Sequence, residues 1–238
     1  MPYKNSTARK TFNSELHSIS LRVRASQGRV VNPDIREYVL AASIFLAHAA
    51  LENYISDIFS GFAVGVRSKA LKGSQLHENL RAHLFLSKLN TNKVYGAALG
   101  LNSEQDAYSA VSASLKGYAG TVVDDDKLIF PFLGKDIYAT NKYPSKDNLN
   151  KIFERIGISK IFSHLSAKMK RDSVSALESL GDLRSQLAHT GQIPGVSPKD
   201  VIFRMNGIKS FVGATDRIMY KKLVSMYGQS TWDDCVAN

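Results

Sequence analysis

The stretch "NPDIREYVLAASIFLAHAALENYISDIFSGF", residues 32–62, limits the fold more than any other. It opens on an Asn-Pro-Asp helix start and stays helical in character to about Phe62, with Leu51, Ile55, Ile58, Phe59 and Phe62 on one stripe. Its greasiest part, Tyr38 to Leu51, is about 14 residues long and holds Ser43 and His48, short of the roughly 20 apolar residues that span a bilayer. The stretch therefore predicts a buried core helix with no membrane partner. His48 and Glu52, four residues apart, share one face of it, where a polar couple at the edge of the core is the plain structural reading.

The remaining pattern is helical too. Residues 6–27 carry Phe12, Leu16, Ile19 and Val23 at spacings of three and four, with Gly28 closing the segment. From residue 65 to about 144 the periodicity weakens to two helices, around Leu76 to Leu89 and Ser103 to Gly117. The run Asp124 to Asp126 followed by Leu128 to Pro131 reads as a loop and a short extended piece. This stretch is an insertion between the second helix and the C-terminal ones. Ser145 and Asp147 then cap a helix bearing Leu149, Ile152, Phe153 and Ile156. Another helix runs from about Asp172 to His189, and a last long one has Pro198 at its start and Gly228 past its end. The expectation is an all-α bundle forming a single domain over residues 1–238.

A formal net charge of +10 favours a polyanionic partner, with nucleic acid ahead of an anionic membrane surface. The cations concentrate on the first helix (Arg9, Lys10, Arg22, Arg24) and on residues 142–172, with eight Lys or Arg against three Asp or Glu. On the last helix Lys199, Arg204, Lys209, Arg217, Lys221 and Lys222 outnumber Asp200 and Asp216. A single cysteine, Cys235, allows no intrachain disulfide and suits a reducing compartment, and the N-terminus shows no secretory h-region, so a cytoplasmic location is expected.

Several familiar chemistries fail on inspection. "LHENLRAH" starts like a zinc-protease helix, but Arg81 stands where the second histidine ligand belongs. Tyr138 and Lys142 have short-chain dehydrogenase spacing without the glycine-rich turn that a dinucleotide needs. No phosphate-binding glycine loop, paired C-x-x-C or G-x-S-x-G elbow occurs, so neither a metal nor a cofactor is expected.

What remains is "LGDLRSQLAHTGQIPG", residues 180–195. On a wheel of about 100° per residue with Leu177 at zero, the leucines at 180, 183 and 187 fall near 300°, 240° and 280°, and Arg184 near 340°. An arginine thus stands on the leucine face. A half-buried guanidinium needs a carboxylate, carbonyls or a phosphate, and Glu52 is the obvious internal candidate. His189 lies about 140° further round, so both side chains meet one ligand only if the helix unwinds at Thr190-Gly191 or a second subunit brings its own pair across a two-fold cleft. Arginine with histidine and no metal ligands is what cleavage of RNA can use. The 2′-hydroxyl attacks, histidine moves protons and arginine neutralises the phosphorane.

"DLRSQLAHTG" resembles the R-x4-6-H signature of HEPN domains, in the LRNxxAHG form of the RiboL-PSP-HEPN branch. "AHAALENYISDIF" resembles that branch's second helix with its acidic residue, and "YPSKDNLNKIFERIGI" its insert before the motif helix. The resemblance implies a bundle that dimerises so that two motifs face one cleft. It would act as a metal-independent endoribonuclease, commonly a toxin or antiviral effector under an antitoxin or sensor protein. By position, Arg184 would hold the scissile phosphate, His189 would be the acid-base group and Glu52 would orient Arg184, with Ser185 and His48 in support. Ser185 stands where the family usually has Asn, Asp or His. Gly191 stands where adenylylated relatives carry a tyrosine, so silencing by that route has no acceptor here. The alternative is a catalytically silent RNA-binding or assembly module, in which Arg184 and His189 are structural.

Overall fold

A computed structural model of the chain describes residues 2–28, 30–68, 72–89, 91–122, 132–191 and 195–237. Among them the regular structure is helical, with no strands: α1 (Thr7–Ala25), α2 (Pro33–Ser68), α3 (Glu78–Lys88), α4 (Thr91–Ala98), α5 (Glu104–Val122), α6 (Gly134–Tyr138), α7 (Lys146–Arg155), α8 (Ile161–Met169), α9 (Ser173–Thr190), α10 (Pro198–Tyr227) and α11 (Gln229–Ala237). The all-α expectation holds. The acidic run and the extended piece expected at residues 124–131 lie outside the described residues.

Local chemistry explains the helix boundaries. Ser6 accepts a hydrogen bond from the Arg9 amide at 3.1 Å, and Asp172 from the Val174 amide at 2.9 Å, each satisfying a donor that the first turn leaves open. Ser197 and Asp200 form a reciprocal capping box ahead of α10, with Pro198 in the first turn. The helix expected after Ser145 is α7, which carries Leu149, Ile152 and Phe153 and has Ile156 as its C-cap; Gly157 then turns into the left-handed region, as does Lys160 just before α8, a helix the periodicity had not shown.

The long helix α2 is the axle. Its buried side chains include Ile44, Leu51, Ile55, Phe59 and Phe62, and α1, α6, α9, α10 and α11 pack round it. By length and composition alone α2 could cross a membrane, yet half of that window is buried inside the bundle, as a core helix requires. Phe12, Leu16, Ile19 and Val23 of α1 supply the facing stripe. The weakly patterned insertion joins the same core through Leu80, Leu84, Phe132 and Ile137. Gly134 lets α6 approach closely: a Cβ there would stand 2.6 Å from the backbone of Ser60.

Two residues assigned to basic or polar surface are elsewhere. Asp216 is fully buried on α10, where it accepts hydrogen bonds from the Tyr3 hydroxyl at 2.5 Å, the Ser6 amide at 3.2 Å and the Ser6 hydroxyl. Burial raises its carboxyl above the usual range, against the pull of those donors. Arg9 is half-buried beside it and donates to the Tyr3 hydroxyl at 2.7 Å. Together they fasten the start of the chain to α10. Cys235 is buried, and burial pushes its thiol up to about 12.

Candidate functional site

The motif helix α9 turns Leu177, Leu180, Leu183 and Leu187 into the core and leaves Arg184 half-buried at the margin of that face. Opposite it, α2 presents Phe45, His48 and Glu52, three and four residues apart and therefore on one strip of helix. The loop before α7 adds Tyr143. Its carbonyl accepts from the Ser145 amide at 2.8 Å and from Asn148 Nδ2 at 3.0 Å, which fixes the backbone that carries the ring.

The Arg184 guanidinium carbon lies 5.9 Å from the centre of the Phe45 ring and 5.9 Å from that of Tyr143. Both distances are within reach of a cation–π attraction worth about 0.5–1 kcal/mol each at an accessible site. Glu52 does not take Arg184 directly, as the sequence had suggested. Its Oε1 lies 3.1 Å from His48 Nδ1, a pair that α2 makes within itself. Among the described residues Arg184 has no carboxylate partner in ion-pair range. The physical reason is proximity: one helical turn brings His48 to Glu52 without ordering a longer side chain from another helix. The His48 ring in turn stacks against Tyr143 at 5.0 Å. Glu52, His48, Tyr143 and Arg184 thus form a chain of contacts.

His48 is 4% exposed. Burial is the main cause that lowers its pKa, Glu52 opposes that shift and the positive charge of Arg184 adds to it. A neutral imidazole therefore donates from Nδ1 to Glu52, leaving the carboxylate acceptor-only as it should be. Sequence spacing found His48 and Glu52. It did not find Phe45 or Tyr143, because both read as ordinary apolar or loop residues until α2, α9 and the loop before α7 are brought together.

His189 is exposed in the last turn of α9 and makes no hydrogen bond or ion pair with Arg184, His48 or Glu52. The helix does not unwind to bring them together. It stays regular through Thr190, whose hydroxyl donates to the Gln186 carbonyl at 2.9 Å, and ends on Gly191 at φ 69°. That left-handed value suits glycine and lets the Gly191 amide close on the Leu187 carbonyl at 2.9 Å. Ser185 is half-buried next to Arg184. Within one chain, then, Arg184, His48, Glu52, Phe45 and Tyr143 form a cluster, and His189 stands apart from it on the outer surface. Among the described residues no three His, Cys, Asp or Glu side chains converge as a metal site would need.

No curated relative and no solved structure matches the chain. The family model described as RiboL-PSP-HEPN matches residues 10–221, which takes in most of α1 and most of α10 with everything between them. That span includes the insertion and the whole of the arginine–histidine helix. On the extent of this match, the chain belongs to the RiboL-PSP-HEPN family.

Proposed function

We propose that this protein is a metal-independent endoribonuclease that cuts RNA at a cleft between two copies of the chain, as a toxin or antiviral effector would. The observation that carries the reading is Arg184: a guanidinium within reach of two aromatic rings, with Glu52 engaged by His48 and no carboxylate in ion-pair range among the described residues. A cation so placed is oriented but not neutralised, which is the condition for meeting a phosphate.

In the reaction, the 2′-hydroxyl oxygen of the nucleotide before the cut forms a bond to phosphorus while the bond to the 5′-oxygen of the next nucleotide breaks. His189 of one protomer accepts the 2′-hydroxyl proton, and the second copy's histidine supplies a proton to the departing 5′-oxygen. Arg184 donates to the non-bridging oxygens as their charge builds. The products are a 2′,3′-cyclic phosphate and a 5′-hydroxyl. His48 and Glu52 are positioning residues that set the ring wall on which Arg184 rests. A two-fold arrangement is favoured because His189 and Arg184 diverge on a regular helix. Exposed Tyr38 and Phe45, 75% and 39% accessible and two turns apart on α2, supply an apolar strip beside the motif that a second copy would cover.

Separation of function tests the reading. His189→Ala should abolish cleavage of a labelled single-stranded RNA while leaving RNA affinity and melting temperature unchanged. A protein that binds RNA but cuts none in either form is instead the catalytically silent module.

A further inference from the structure

A second basic site lies well away from the motif. The turn after α7, the outer face of α8 and the C-terminal half of α10 enclose an open cleft of about 480 Å³. His164 and Lys168 line it from α8, and Arg217, Lys221 and Lys222 from α10, with Ile218 on its floor and no Asp or Glu in its lining. The two α8 residues are four apart, as are Arg217 and Lys221, so each helix presents a pair of nitrogen donors toward the cleft, with Lys168 the cation of the α8 pair. Two of the cations are anchored: Lys222 donates to the Gly157 carbonyl at 3.0 Å, and Arg217 lies over the Tyr3 ring at 5.5 Å. Lys168 and Lys221 are exposed and reach the cleft from opposite walls.

Like charges gathered without acids repel one another, so the arrangement is stabilised when an anion enters. The cleft is open rather than closed round a small molecule, and cations from two helices line it, which fits a phosphate chain better than a single phosphate. Its position can be read from the bundle. Arg204 donates to the Ser179 carbonyl and Arg171 to that of Gly207, so α9 and α10 run antiparallel with position 204 level with 179. At 1.5 Å per residue the cleft and Arg184 are on the order of 30 Å apart along the bundle.

We infer that this α8–α10 cleft is a second RNA-backbone site that grips the strand at a distance from the motif. The inference rests on RNA being the substrate. It predicts that long RNA is held by both sites, whereas a dinucleotide reaches the motif alone.

The test measures binding, so it does not depend on cutting. Fluorescein-labelled 20-nucleotide single-stranded RNA is titrated by anisotropy against full-length His189→Ala protein at several salt concentrations. The comparison is with the same protein carrying Lys168→Glu and Lys221→Glu, or carrying the control pair Lys10→Glu and Arg24→Glu on exposed positions of α1. The cleft pair should weaken binding at least tenfold and reduce the slope of log K against log salt by about 1 to 1.5, as two lost phosphate contacts require. The control pair should do far less. Equal losses for both pairs, no loss for the cleft pair, or binding to phosphatidylserine vesicles without binding to RNA would overturn the inference. A cleft pair that loses affinity when the wild type cuts nothing would leave the second site standing and remove the ribonuclease. A wild type that cuts, with the cleft pair unaffected in affinity and slope, would do the reverse.

Discussion

Arg184 and His48 carry the residue-scale consequences. Because Arg184 touches two rings and no carboxylate, its replacement by alanine removes little from the fold and much from the reaction. Cleavage should fall by about 10²–10³ as for a lost oxyanion donor, while melting shifts by less than about 4 °C. Arg184→Lys keeps the charge but not the planar fork, and should recover only part of the rate. A melting loss that accounted for the activity loss would return Arg184 to the scaffold. His48 adds a pH dependence. Its folded pKa is lowered, so its contribution is fully present above the unfolded value of about 6.5 and is lost as pH falls toward the folded value. Between pH 7 and 5, His48→Gln should lose less stability than the wild type, by at most about 1.4 kcal/mol per pH unit for one proton, read from urea melts. At this scale the sequence showed Arg184, His189, His48 and Glu52 from spacing alone. It offered both the His48–Glu52 couple and Glu52 as the partner of Arg184, and choosing between them depends on how α2 and α9 face each other.

Individual elements differ in how far they tolerate change. Gly134 of α6 lies against the α2 backbone, where a methyl group would meet main-chain atoms of Ser60 that cannot move aside. Gly134→Ala should cost about 1–3 kcal/mol by denaturant unfolding, in the range of overpacked interiors. Gly181 sits one turn before Arg184 inside α9, and a methyl there would meet only the Tyr143 hydroxyl at 3.8 Å. Gly181→Ala should therefore be neutral or stabilising by up to about 1 kcal/mol through helix propensity. The long elements α1, α2, α9 and α10 were legible because each repeats its apolar spacing over several turns, and α1, α9 and α10 also end on caps. The short helices α4, α6, α8 and α11 were not. Two or three turns hold too few apolar positions for a period to stand out, and they are held by tertiary packing, as Trp232 of α11 shows with its indole nitrogen on the Lys4 carbonyl at 2.9 Å.

At the scale of the whole molecule, the motif histidine and arginine belong to one helix yet face different directions, which the two-fold partner of the proposed function would reconcile. Tyr38→Glu places a charge on the exposed strip beside Arg184 without touching the core. Sedimentation should then report a monomer that melts like the wild type and no longer cuts RNA. A Tyr38→Glu monomer with full activity would dispense with the shared cleft. The excess of basic charge and the segments that carry it were plain from the sequence, but the cleft that two of them share was not. Burial removes Asp216 from the acids that could offset it, and folding draws cations from two separate segments into the α8–α10 cleft. In the proposed reaction Arg184 and His189 cut RNA through its own 2′-hydroxyl. The most direct test is to incubate the wild-type protein with total tRNA and a labelled single-stranded RNA in EDTA and to identify the new 3′ ends. Ends bearing 2′,3′-cyclic phosphate, absent with His189→Ala, are the predicted result; intact RNA, or ends bearing a free 3′-hydroxyl, would contradict it.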